Sequence, residues 1–186
     1  MSLAVPATST IDAVLAAWRA AGPERWFARE EGFDRLLRER FLDVQAAAAD
    51  GRLAGWEETP SGALALVLAL DQFPRNMFRG TPRAFASDAA ARAVSRRAIA
   101  RGFDRAVEPE LRPFFYLPFM HSEAAGDQDY CVRLYETLGS EDDLRWARGH
   151  RDIIARFGRF PHRNAVLGRP TTEAEQAFLD DGGFAG

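Results

Sequence analysis

The chain has 186 residues, 47% of them hydrophobic and 27% charged, with a formal net charge of −3. That is enough apolar material for a sizeable core, and too little charge bias for a disordered chain or for a global field that would favour nucleic acid or anionic membrane as partner. The single cysteine, Cys131, excludes an intrachain disulfide and a cysteine-rich zinc site, no apolar run reaches the roughly 18 residues of a membrane span, and the first ten residues lack a signal peptide's basic and apolar regions, so the expected location is cytoplasmic.

Thr10 is placed to cap a first helix, Ile11 to Ala21, whose Ile11, Val14, Leu15 and Trp18 fall on one face. Gly22-Pro23 stops it, and Trp26-Phe27 form a short apolar plug. A second helix runs from about Glu30 to Ala49, with Phe33, Leu36, Leu37, Phe41 and Val44 facing inward. Asp50-Gly51 ends it. Ser61 is the expected N-cap of a third helix, Gly62 to about Phe73, apolar almost all round as a helix surrounded by others must be. Pro74 is expected to end or kink it, leaving Asp71, Gln72, Arg75 and Asn76 at the helix end.

Ser87 or Asp88 caps a fourth helix, Ala89 to Arg101, closed by Gly102. A fifth opens near Glu108-Pro109, carries Leu111, Phe114, Phe115 and Leu117, and is interrupted by Pro118. Asp127 caps a sixth, Gln128 to Leu138. Ser140 with Asp143 resembles a capping box and starts a seventh, to about Phe157, which Gly158 stops. Thr172 with Glu175 is a capping box for a short last helix, Glu173 to Leu179. Residues 1–9 and 180–186 are expected to be frayed. No segment alternates with period two as strands do. The chain therefore reads as all-α, a single domain over residues 1–186 with seven to eight helices in antiparallel pairs. Trp18, Trp26, Trp56, Phe73, Phe115 and Trp146 are expected in the core, as is Cys131.

Three junctions concentrate polar residues where the helix pattern stops: Asp71-Gln72-Phe73-Pro74-Arg75-Asn76, His121-Ser122-Glu123, and Phe157 to Asn164 with Arg159, His162 and Arg163. His150 lies about two turns upstream of Gly158. If the fold brings these together, Arg75, Arg159 and Arg163 could grip a carboxylate or phosphate through forked donors, with Asp71 and Glu123 holding the arginines or binding an amine. A histidine–carboxylate pair could serve acid/base catalysis, and imidazoles with Glu123 could hold a divalent metal, although no fixed ligand spacing is present. Equally, Arg, His and Asn beside a proline break satisfy helix-end carbonyls, and the motifs are then locks of the fold.

Leu70 to Asn76, Gly80-Thr81-Pro82-Arg83-Ala84-Phe85-Ala86, Phe114 to Glu123, and His150-Arg151-Asp152-Ile153-Ile154 running into Phe157 to Asn164 resemble the signature blocks of the bacterial family catalogued as domain of unknown function 924. The resemblance covers roughly Ile11 to Leu179 and departs at Leu15-Ala16-Ala17-Trp18-Arg19. It implies an all-helical, TPR-like array and assigns no catalytic residue. The resulting expectation is a helical array with a peptide segment or small anionic molecule as ligand. Its candidate site comprises Asp71, Gln72, Arg75, Asn76, His121, Glu123, His150, Arg159, His162, Arg163 and Asn164. No cofactor is expected, and oligomeric state stays open. A hydrolase-like enzyme using the three histidines and Glu123 is the alternative, and a purely structural role for the motifs is the third.

Overall fold

A computed structural model describes residues 10–184. The fraying expected for residues 1–9, and for the last two positions, lies outside the described residues. Among the described residues every regular element is helical. No helix among them is long and apolar enough to cross a membrane. The chain packs as two units, Met1–Arg79 with Arg83–Pro118, and Gly80–Pro82 with Phe119–Gly186.

In the first unit, Thr10 caps α1 (Ile11–Ala21) through its side chain, and the short α2 (Pro23–Trp26) follows. Trp18 of α1 is fully buried, and its ring lies 6.1 Å from Trp26, 5.9 Å from Phe33, 6.0 Å from Phe73 and 5.3 Å from Phe114. This aromatic cluster is the centre of the unit's core, and the Trp26 indole N–H donates to the Trp18 carbonyl. α3 (Glu31–Ala49) buries Phe33, Leu37, Phe41 and Val44, whereas Leu36, expected inside, stands exposed. It sits one position outside the stripe that α3 turns inward.

α4 (Pro60–Val67) is capped by Thr59 rather than by Ser61, because Pro60 takes the first helical position, where a missing N–H costs nothing. From Gly62 to Val67 every residue is buried, as its all-round apolar sequence requires. Gly62 is obligatory: a Cβ there would collide with the Trp56 carbonyl. Pro74, expected to end or kink this helix, follows a break in its regular pattern, and the helix stops at Met77 with Arg75 and Asn76 on its last turn. α4 passes through a π-helical turn (Leu68–Gln72) directly into α5 (Phe73–Met77). The widened turn accommodates the pyrrolidine ring that would clash in a regular α-helix. α6 (Asp88–Ala100) follows.

The expected fifth helix is not continuous. Its segment forms turns and a 3-10 turn (Arg112–Phe115), and then α7 (Leu117–Met120). Proline at 109, 113 and 118 denies the backbone donors a longer helix needs. Phe114, Phe115 and Tyr116 are nonetheless buried. The Tyr116 hydroxyl donates to Asp104 at 2.6 Å and accepts from Arg112 at 2.7 Å; burial and the Asp104 contact, opposed by Arg112, push its pKa up to about 12.

In the second unit, α8 (Ala125–Glu136) starts before Asp127, which accepts from the Ser122 hydroxyl at 2.7 Å. The buried Gln128 amide donates to the Met120 and Ser122 carbonyls, holding the segment that carries His121. α9 (Glu141–Phe157) is capped by Ser140 and stopped by Gly158 in the left-handed conformation. α8 and α9 pack side by side as a hairpin. α10 (Glu173–Asp180) begins with the capping box read from Thr172 and Glu175. Trp146, expected in the core, is 60% exposed on α9. Trp56 is half-buried.

Candidate functional site

The sequence-named polar residues divide between the two units. Asp71, Gln72, Arg75 and Asn76 belong to the first, and His121, Glu123, His150, Arg159, His162, Arg163 and Asn164 to the second.

Around the π-helical turn, two backbone carbonyls accept side-chain donors, and one of them, Leu70, lies four residues before Pro74, which has no N–H to give. The Ser87 hydroxyl donates to the Leu70 carbonyl at 2.6 Å, and Arg75 Nη1 donates to the Asp71 carbonyl at 2.6 Å. The same guanidinium makes a two-pronged contact with Asp88 at 2.9 and 3.0 Å and lies 3.2 Å from the Asp71 carboxylate, which is wholly buried. Gln72 donates to Asp71. On the neighbouring turn Asn76 donates to the buried Asp34 at 2.8 Å, and Arg79 forks onto the same carboxylate. Asp34, Arg79, Ser87 and Asp88 complete a network whose sequence-named members are Asp71, Gln72, Arg75 and Asn76. Every forked donor in it is directed at a carboxylate or carbonyl of the same chain.

The second unit holds a similar chain of contacts. Glu123 accepts the Phe160 backbone N–H at 2.8 Å and a forked pair from Arg169 at 2.8 and 3.0 Å. Burial pushes its carboxyl up, but Arg169, the Phe160 N–H and the Arg163 charge outweigh this and hold it below the usual carboxylate range. Arg169 also donates to Asn164 Oδ1 at 3.0 Å, and Asn164 Nδ2 donates to Glu175 at 3.3 Å. Glu175 receives both prongs of Arg159 at 2.6 and 2.8 Å and the Thr172 N–H at 2.8 Å, which bring its carboxyl down to about 2. Arg169 was missed although Gly168 and Pro170 flank it, because no helical period leads into that break. Glu175 was legible only as half of a capping box.

The three histidines converge in this unit. His150 Nδ1 lies 2.9 Å from the Trp146 carbonyl. Burial, opposed by that hydrogen bond and aided by the charges of His121 and Arg163, brings His150 down to about 4. Burial with the Arg163 and His150 charges brings His162 down to about 3. The Phe160 ring stands 5.7 Å from His150 and 5.6 Å from His162, and Arg163 lies over Phe160 at 4.6 Å. His162 Nδ1 is buried and has no hydrogen-bond partner among the described residues. Both imidazoles are neutral at pH 7, and bases of that strength are weak proton acceptors there. Among the described residues no group of three or more His, Cys, Asp or Glu is arranged to hold a metal ion. Burial pushes the Cys131 thiol up to about 12, so it is no nucleophile.

Beside the imidazoles an apolar groove of about 330 Å³ runs along α9, lined by Trp146, Gly149, His150, Asp152, Ile153, Arg156, Phe157, Phe178 and Phe184. Of these only His150 was named from the sequence. Phe184 falls in the tail expected to be frayed, yet its ring packs 4.6 Å from His150, 5.1 Å from His162 and 6.4 Å from Trp146.

Residues 14–183 match the family described as bacterial protein of unknown function (DUF924). The chain belongs to this family. It is also similar to a solved structure, a protein of unknown function, ATU0120, from Agrobacterium tumefaciens. The two are 46% identical and superpose with a TM-score of 0.89, over 92% of this chain and 97% of that one. No curated protein matches the chain. The polar residues named from the sequence fall in two internally paired networks, and the groove lies beside the second of them.

Proposed function

We propose that this family member is a binding protein whose ligand is a peptide segment, and that the segment docks an aromatic side chain in the α9 groove of the second unit. The observation that supports this most directly is Phe184. The chain itself, just after two glycines, lays an aromatic ring against His150 and His162 in the groove lining. A volume of about 330 Å³ suits one large side chain with its flanking backbone. Exposed Trp146 on the rim offers a further stacking partner. The α8–α9 hairpin is the kind of helix pair from which TPR-like arrays are built, and such arrays hold peptides in grooves between helices, an argument by analogy of fold.

The small-anion alternative draws less support. Arg75 and Arg159 already hold Asp88 and Glu175 through both prongs, and an anion would have to displace those carboxylates. For catalysis, the low basicity of His150 and His162 counts against an acid/base role at neutral pH. The two polar networks fit the role of locks.

The test is fluorescence anisotropy with labelled short peptides, with and without an aromatic residue, against wild type and Ile153→Asp. Aromatic peptides should bind wild type and lose binding in the variant, with its melting curve retained. Absence of binding by every aromatic peptide, alongside a thermal shift with nucleotides, carboxylates or divalent metals that His121→Ala removes, would refute the groove and favour the polar site.

A further inference from the structure

Phe184 does more than line the groove. Its ring is edge-on to both imidazoles, while His162 itself does not reach the groove surface. The aromatic ring therefore touches both the groove and the imidazole whose buried Nδ1 has no hydrogen-bond partner among the described residues. The hydrogen bonds that place this segment are local to the end of α10: the Gly182 N–H donates to the Leu179 carbonyl at 3.2 Å, and the Gly183 N–H to the Phe178 carbonyl at 2.9 Å. Gly182 has φ +79, and a Cβ on Gly183 would overlap the Phe178 carbonyl and ring. Two glycines are thus needed to fold Phe184 back onto α9. Phe184 is not fully buried, so the ring can be reached from solvent. A backbone path open only to glycine, local anchoring and a partly exposed ring beside an imidazole with an unpartnered nitrogen describe a contact that can open.

We propose that Gly182–Phe184 is an internal lid on the α9 groove, and that a bound peptide replaces the Phe184 ring and gains access to the His150–His162 recess behind it. This rests on the peptide-groove reading above and adds regulation to it. The lid competes with the ligand, so apparent affinity is lowered by the fraction of time the lid is closed. A lid closed nine-tenths of the time lowers affinity about tenfold.

The probe is an acetylated, amidated peptide Asp-Gly-Gly-Phe-Ala, the chain's own sequence from 181 to 185, measured against wild type, Phe184→Ala and Gly183→Ala. Both variants should bind it about tenfold or more tighter than wild type. A second readout needs no ligand: imidazole proton resonances followed against pH. In Phe184→Ala the signals of His150 and His162 should titrate at higher pH than in wild type, because the ring no longer covers them. Equal affinity for wild type and both variants would overturn the lid while leaving the groove standing. Failure of all three to bind would overturn the groove and the lid together. Unchanged histidine titration in Phe184→Ala would overturn the lid, whatever the peptide does.

Discussion

Arg75→Ala separates a lock from a ligand grip. Arg75 faces two carboxylates, Asp71 with no exposure and Asp88 at 8%, and it supplies the donor for the Asp71 carbonyl. Truncation leaves two buried acids without their shared cation and the Asp71 carbonyl without its side-chain donor. Removing one partner of a buried ion pair costs about 3–5 kcal/mol, because the remaining charge stays desolvated. For a chain of this size each kcal/mol moves Tm by about 2–4 °C, so the expected fall is about 6–20 °C. Calorimetry or a far-UV circular dichroism melt reads it directly. Arg75→Lys keeps the charge but not the fork, and should fall between wild type and Arg75→Ala. A Tm for Arg75→Ala within about 2 °C of wild type would refute the lock and return Arg75 to the set of ligand-binding candidates.

Two further effects follow from the same contacts. Ser87→Ala leaves the Leu70 carbonyl without its side-chain donor. A buried acceptor left unmet costs about 1–3 kcal/mol, so Tm should drop by about 2–12 °C, with hydrogen exchange rising first around residues 68–77. Acid should act through the second unit. His150 and His162 fall to about 4 and about 3 in the folded protein, against 6.5 for an ordinary imidazole. The unfolded chain then binds protons that the native one refuses. Their contribution to stability is complete above about pH 6.5 and is lost as pH falls toward 4 and then 3. Each imidazole steepens the loss by about 1.4 kcal/mol per pH unit in that window. Denaturant titrations from pH 7 to pH 4 should show it, and His162→Phe should flatten the slope. An unchanged slope in that variant would mean that His162 is not buried neutral.

What the sequence made legible were the features written in local periodicity and capping. The Trp18 face of α1 and the Thr172–Glu175 box stand where the pattern puts them, and the all-round apolar α4 is buried as its sequence requires, though it starts at Pro60 and gives way to the π-helical turn at Leu68; each rests on residues within a few turns of one another. The polar junctions were legible as places but not as partnerships, because a partnership is set by long-range packing. Nothing beside Asn76 announces Asp34, 42 residues earlier, and nothing beside Glu123 announces Arg169, 46 residues later. Pro74 shows how local rules fail when two compensations act at once. A proline in a helix should stop it, yet a π-helical turn makes room for the ring, and Ser87 and Arg75 supply side-chain donors to the carbonyls beneath it. That result changes the meaning of the signature. Leu70-Asp71-Gln72-Phe73-Pro74-Arg75-Asn76 reads in sequence as a helix end bearing free polar groups. In the folded chain it spans a π-helical turn and the last turn before Met77, and its polar groups are paired within the chain around the proline. The groove was illegible for the opposite reason. Trp146, Ile153, Phe157 and Phe178 look like ordinary core residues, and only the packing of α9 leaves a face of them open for Phe184, or for a peptide that takes its place.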